Sequence, residues 1–113
     1  MKVSIKDSAP CEKVLSVAVA GDQIKEEYNQ FFRRATKDAR VPGFRPGKAP
    51  EEVVRMRYRD EAREKVLEKL ITLSLREAIT EKRINFLGHP TIKSVEFTDE
   101  KLSYEAILEM PPT

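Results

Sequence analysis

Gly43-Phe44-Arg45-Pro46-Gly47-Lys48 puts two glycines, two cations and an aromatic ring into six residues. Such a run could wrap a phosphate, yet it fails the pattern of a nucleotide-binding loop. One residue too few separates the glycines, and Ala49 follows the lysine where Ser or Thr should hold magnesium. The run also follows a helical pattern, not a strand. Other reactive groups are sparse. Cys11 is the single cysteine and His89 the single histidine, which excludes an internal disulfide and a Cys/His zinc site. Cys11 reads as a small packing residue, because no histidine lies near it in sequence to activate the thiol. His89, between Gly88 and Pro90, reads as a surface loop residue. Glu51 and Glu52 open a helix, where carboxylates meet the dipole favourably, so they are not a catalytic pair. No catalytic residues, metal, cofactor or small-molecule substrate are assigned.

What remains is recognition. Val41 to Pro50 contains three prolines and two glycines. Proline fixes φ and removes a donor, so neither a helix nor an inner strand fits. The glycines allow tight reversals on both sides of Phe44–Pro46. The expectation is a stiff loop whose tip shows Phe44, Arg45 and Lys48 to solvent. A ring between cations suits a contact surface, with the arginine pairing with phosphate or carboxylate. The competing reading is a helix connector with Phe44 folded inward.

The charge distribution favours an anionic partner. Net charge is only +2, but Arg33 to Arg59 holds nine Lys/Arg against three acids, and the remainder is net −4. Cations clustered beside an exposed loop suit nucleic acid, although charged residues also solvate helix surfaces. Neither a signal peptide nor a run of about 20 apolar residues is present.

Several elements must hold that loop. Val3 and Ile5 alternate in a short strand, and Asp7-Ser8-Ala9-Pro10 reads as a turn. Glu12–Ala20 is a second strand with Leu15, Val17 and Val19 on one face. Asp22 can cap a helix that runs to about Arg40, with Ile24, Tyr28, Phe31, Phe32, Ala35 and Ala39 at helical spacing. Pro50 suits the first position of a short helix containing Val53, Val54, Met56 and Tyr58. A long helix runs from Asp60 or Glu61 to Lys82 or Arg83. Asn85 to Pro90 is a loop, Ile92 to Phe97 a third strand with Val95 and Phe97 in register, and Leu102 to Met110 a fourth.

The order β-β-α-loop-α-α-β-β predicts an α+β two-layer sandwich: an antiparallel four-stranded sheet with helices packed on one face, around one shared core. The 113 residues read as one domain. The abrupt end at Met110-Pro111-Pro112-Thr113 suggests a fragment of a longer chain.

The loop resembles the signature of the ribosome-binding domain of trigger factor, the bacterial ribosome-associated chaperone. The family segment reads G-F-R-x-G-K-x-P, matched by Gly43, Phe44, Arg45, Gly47, Lys48 and Pro50. Gly21-Asp22-x-Ile24, Val53 with Tyr58, and Ile84-Asn85 before Gly88-x-Pro90-Thr91 extend the likeness along the chain. Many members carry lysine where this chain has Pro46. The resemblance implies docking on the large ribosomal subunit at the tunnel exit, through a ribosomal protein and adjacent ribosomal RNA, where nascent polypeptides emerge. Phe44, Arg45, Pro46 and Lys48 would be the ribosome-binding residues, and Gly43, Gly47 and Pro50 would shape the loop. It further implies a cytoplasmic, partly ribosome-associated protein whose isomerase and substrate-cradling domains lie outside this chain, so the fragment itself is not an enzyme. The alternative is a small nucleic-acid-binding module using the Arg33–Arg59 cluster.

Overall fold

Alternation of apolar residues builds the sheet. In the computed structural model, which describes residues 1–111, β1 (Lys2–Ala9) pairs antiparallel with β2 (Glu12–Ala20). β2 pairs with β4 (Lys101–Glu109), and β4 with β3 (Leu87–Phe97), giving the order β1-β2-β4-β3. The two hairpins therefore meet at β2 and β4, where Leu15 faces Ala106, Val17 faces Tyr104 and Val19 faces Leu102. All six are essentially buried. The helices are α1 (Gly21–Asp38), α2 (Glu51–Arg57) and α3 (Arg59–Lys82). Four antiparallel strands and three helices make the expected α+β fold.

α3 is fixed to the sheet by a buried polar contact. The Tyr104 hydroxyl lies 2.6 Å from the Ser74 hydroxyl, and it also donates to the Ile71 carbonyl at 3.3 Å. α3 ends in a left-handed Arg83 at φ 51°, with the Ile84 amide bonded to the Ile79 carbonyl, which satisfies carbonyls that a helix end would leave free.

The apolar interior is divided. One cluster joins the sheet to Ile24 of α1 and to Val66, Leu70 and Ala78 of α3. A second, made of Phe32, Ala39, Val41, Ala49, Val54 and Ala62, contains no strand residue. Tyr28 and Phe31 pack against both. The expected single core is thus two cores in series, and the molecule is elongated, 62 Å by 25 Å by 21 Å. The reason lies in α1 and α3, which run past the end of the sheet and must bury their outer turns on each other and on α2.

Local expectations also change. Asp22 lies inside the first turn of α1 and does not cap it; the cap position is Ala20, without a side-chain bond. Pro50 is the cap residue of α2, not its first helical residue, and its carbonyl accepts from Val53 and Val54. Met56 is 82% exposed and fills no core. β1 continues through Asp7–Ala9, so the turn falls at Pro10-Cys11. Cys11 is exposed there and packs nothing. β3 begins at Leu87, so His89 stands exposed in a strand with irregular register, not in a loop. A bulge at left-handed Ser94 (φ 55°) moves Val95 off the buried side that Phe97 occupies. Met110 lies just past β4, and Pro112 and Thr113 lie outside the described residues.

Candidate functional site

Two Pro-Gly corners, four residues apart, shape the loop. The Phe44 amide donates to the Val41 carbonyl at 3.0 Å, closing a turn over Pro42-Gly43. The Lys48 amide donates to the Arg45 carbonyl at 2.9 Å, closing another over Pro46-Gly47. Gly43 has φ 90° and Gly47 φ 77°, each in the third position after a proline, the pattern of a type II turn. Proline pre-sets the second position of such a turn. Pro46 is therefore a corner residue, and the expected reversals flanking Phe44–Pro46 become one before Phe44 and one that includes Pro46.

The ends of the loop are held down. Val41 and Ala49 are buried in the second cluster beside Val54 and Ala62. The chain leaves helical geometry at Ala39 (ψ 133°), two residues earlier than the sequence suggests, and this frees the Ala39 carbonyl to accept from the Gly47 amide. A methyl group on Gly47 would stand 2.7 Å from the Lys37 carbonyl oxygen. One on Gly43 would meet nothing within 4 Å. Gly43 is thus needed for φ alone, and Gly47 for φ and for close approach to α1.

Between these anchors Phe44, Arg45, Pro46 and Lys48 are exposed, and Pro50 is exposed at the base. Phe44 keeps 43% of its surface open, so the inward-folded reading is not what the loop adopts. Arg33 and Lys37, on the exposed side of α1, border a groove shared with Gly47, Glu51 and Arg55.

Of the nine cations between Arg33 and Arg59, one serves the fold. Arg55 lies 4.6 Å above the Phe32 ring and donates to Asn29 Oδ1 and to Glu51 Oε1, each at 3.0 Å. The other eight make no ion pair among the described residues and are exposed. Below Arg55 the rings of Phe32, Tyr28 and Phe97 stack in sequence, with centroids 6.3 Å apart at each step. Arg63 closes the far end, 4.8 Å over Phe97. Burial raises the Tyr28 hydroxyl above the ordinary tyrosine range; Asp99 adds to this and Arg63 opposes it. This stack ties the second cluster to the sheet and gives no acid–base chemistry near neutral pH. Among the described residues no cluster of His, Cys, Asp and Glu could hold a metal, and no helix is long and apolar enough to cross a membrane.

Sequence reasoning did not single out Val41, Ala49 or the Ala39 carbonyl as anchors. The repeated Pro-Gly pair was the signal that could have located both corners. Nothing local marks the anchors, since their burial depends on α2 and α3.

Comparison with known proteins places these features in context. Residues 1–113 match the family model described as bacterial trigger factor protein. The trigger factor of Ectopseudomonas mendocina is 37% identical over 113 residues, and that of Pseudomonas syringae pv. syringae 35%; each alignment covers 99% of this chain and 26% of the relative. The chain thus spans about a quarter of the length of the curated relatives it matches. Among solved structures, one described under substrate recognition in the folding and assembly activities of the trigger factor chaperone superposes with a TM-score of 0.76 at 21% identity, covering 97% of this chain and 26% of that one. Another, from work on the domains of trigger factor from Thermotoga maritima, gives 0.62 at 20% identity, covering 87% and 89%. These two likenesses concern the fold.

Proposed function

Because this chain belongs to the bacterial trigger factor family, we propose that residues 1–113 form a single ribosome-docking domain that uses loop 43–50 beside the peptide exit tunnel. Family membership supports a chaperone's ribosome-binding domain, and the matched model is that of its N-terminal part, without an isomerase domain. The observation that carries the finer reading is the double Pro-Gly turn, which holds Phe44 out of the core on anchored feet. A ring kept exposed at such a cost in apolar contact with water suits insertion into a pocket on a ribosomal protein. Arg45 and Lys48 flank it and suit phosphates of adjacent ribosomal RNA. Pro46 supplies stiffness in place of charge. Less ordering is then needed on binding. Nascent polypeptides would be met as they emerge, and a cytoplasmic, partly ribosome-associated location follows from this reading.

Co-sedimentation with ribosomes tests it. Phe44→Ala with Arg45→Ala should weaken binding roughly a hundredfold, since truncating one central anchor often costs about 2 kcal/mol or more. Stability should change by no more than about 0.5 kcal/mol, as expected for exposed positions. Unchanged binding would overturn the assignment. A second reading, a free RNA-binding module, is favoured by the eight exposed cations that make no ion pair among the described residues. It requires tight, steeply salt-dependent binding to naked RNA that is indifferent to Phe44.

A further inference from the structure

The sheet has two free edges, and they are built differently. The β3 edge carries Pro90, register irregularities at Leu87/Thr91 and Lys93/Glu96, and the left-handed Ser94. A proline offers no N–H and bulges disturb the ladder, so this edge resists another strand. β1 has no proline from Lys2 to Ala9 and keeps regular register against β2 from Lys2 to Asp7. Its outer edge pairs with no strand among the described residues.

We propose that the β1 edge is a binding site for an extended polypeptide segment in which apolar and acidic residues alternate. The proposal rests on the chaperone reading only for the source of such a segment, an unfolded client. Backbone pairing along an open edge supplies affinity, and side chains alternating between the two faces supply preference. On the helix-facing side, Met1 and Ile5 are each 39% exposed and Val3 is only partly buried. An added strand would cover them with its own apolar row. On the other side stand Lys2, Ser4 and Lys6, opposite Ala18, Ser16 and Val14 of β2. Neither lysine faces a carboxylate across the ladder or makes an ion pair among the described residues. Acidic residues in the added strand would face them directly.

A second copy of this chain fits the edge poorly. An antiparallel β1–β1 pair centred on Ser4 sets Lys2 against Lys6, and one centred on Lys6 sets that lysine against itself. Centring on Ile5 sets Val3 against Asp7. Each of these registers places like charges, or an apolar and a charged residue, directly opposite; centring on Val3 avoids both but pairs only Met1 to Ile5 and leaves Lys6 uncovered.

The test uses fluorescently labelled eight-residue peptides and the 113-residue chain, read by anisotropy. An alternating Val/Asp peptide should bind at least tenfold more tightly than its Val/Lys counterpart. Of two Val/Asp peptides N-methylated on one or the other hydrogen-bonding edge, one should lose binding and the other keep it. Lys2→Glu with Lys6→Glu should reverse the charge preference. Phe44→Ala with Arg45→Ala should leave peptide binding unchanged while ribosome co-sedimentation falls, which separates this site from the docking loop. No binding by either peptide, equal affinity for both charges, equal tolerance of both methylation patterns, or loss of binding in the loop variant would each overturn the proposal.

Discussion

The amide of Gly47 donates to the carbonyl of Ala39 across 3.1 Å, fastening the exit of the loop to the end of the helix that leads into it. The loop therefore turns with α1 as one body, and its tip is aimed by the helix.

The two loop glycines should respond unequally to alanine. Gly43→Ala meets open space and suffers only from its φ of 90°. About 1–2 kcal/mol of destabilisation is expected from left-handed strain. Gly47→Ala adds a methyl 2.7 Å from the Lys37 carbonyl oxygen, a contact that backbone must move to relieve. It should cost more than about 2 kcal/mol and misdirect the tip, so ribosome binding falls as well. Thermal melts beside co-sedimentation check both effects; equal losses would count against the fastening role.

Charge on α1 should tune encounter. Lys37 is exposed beside the loop and makes no ion pair among the described residues. Lys37→Glu should weaken ribosome binding several-fold at low salt and by less at high salt, since rim charges mainly steer association. Its melting temperature should stay near that of the parent. A loss as large as that of the Phe44/Arg45 variant would make Lys37 an anchor instead.

Arg55 should behave as a fold residue despite lying in the basic cluster. Arg55→Ala removes the cation over Phe32 and the bonds to Asn29 and Glu51. Because the side chain is partly solvated, about 1–2 kcal/mol is the expected loss. Melting should fall while salt dependence of ribosome binding is retained. The opposite pattern would place Arg55 on the contact surface.

Tyr104 makes stability depend on alkaline pH. Burial raises its pKa above the ordinary value of about 10, and the Ser74 hydrogen bond lowers it by less. The unfolded tyrosine therefore loses its proton first as pH rises. Stability is full below about pH 10 and falls from there towards the folded pKa. Tyr104→Phe should lose about 1 kcal/mol at neutral pH and show a shallower alkaline decline. An unchanged slope would mean that the hydroxyl is not the group responsible.

Much of the sheet was legible because its code is local. Leu15-Val17-Val19 and Leu102-Tyr104-Ala106-Leu108 alternate cleanly, and both sets are buried. The loop was legible for a similar reason: proline and glycine dictate backbone geometry without help from neighbours. The start of β3 was not, since Gly88-His89-Pro90 reads as a break, while pairing with β4 overrides it with irregular register. Ser94 gives no hint of a bulge. The stack joins Tyr28 and Phe32, one turn apart on α1, to Phe97 of β3, a link that periodicity cannot make. The same holds for Val41 and Ala49, whose burial in a second cluster is set by α2 and α3.

The two clusters in series partition the effects of substitution. Residues that stabilise the tip belong to Phe32, Ala39, Val41, Ala49, Val54 and Ala62, while the sheet depends on another set. The two sets meet only through Tyr28 and Phe31, so a change at the head of the molecule reaches its base through those side chains. Substitutions at the exposed tip, Pro46 among them, therefore alter the shape and charge of the loop without touching the residues that pack the sheet.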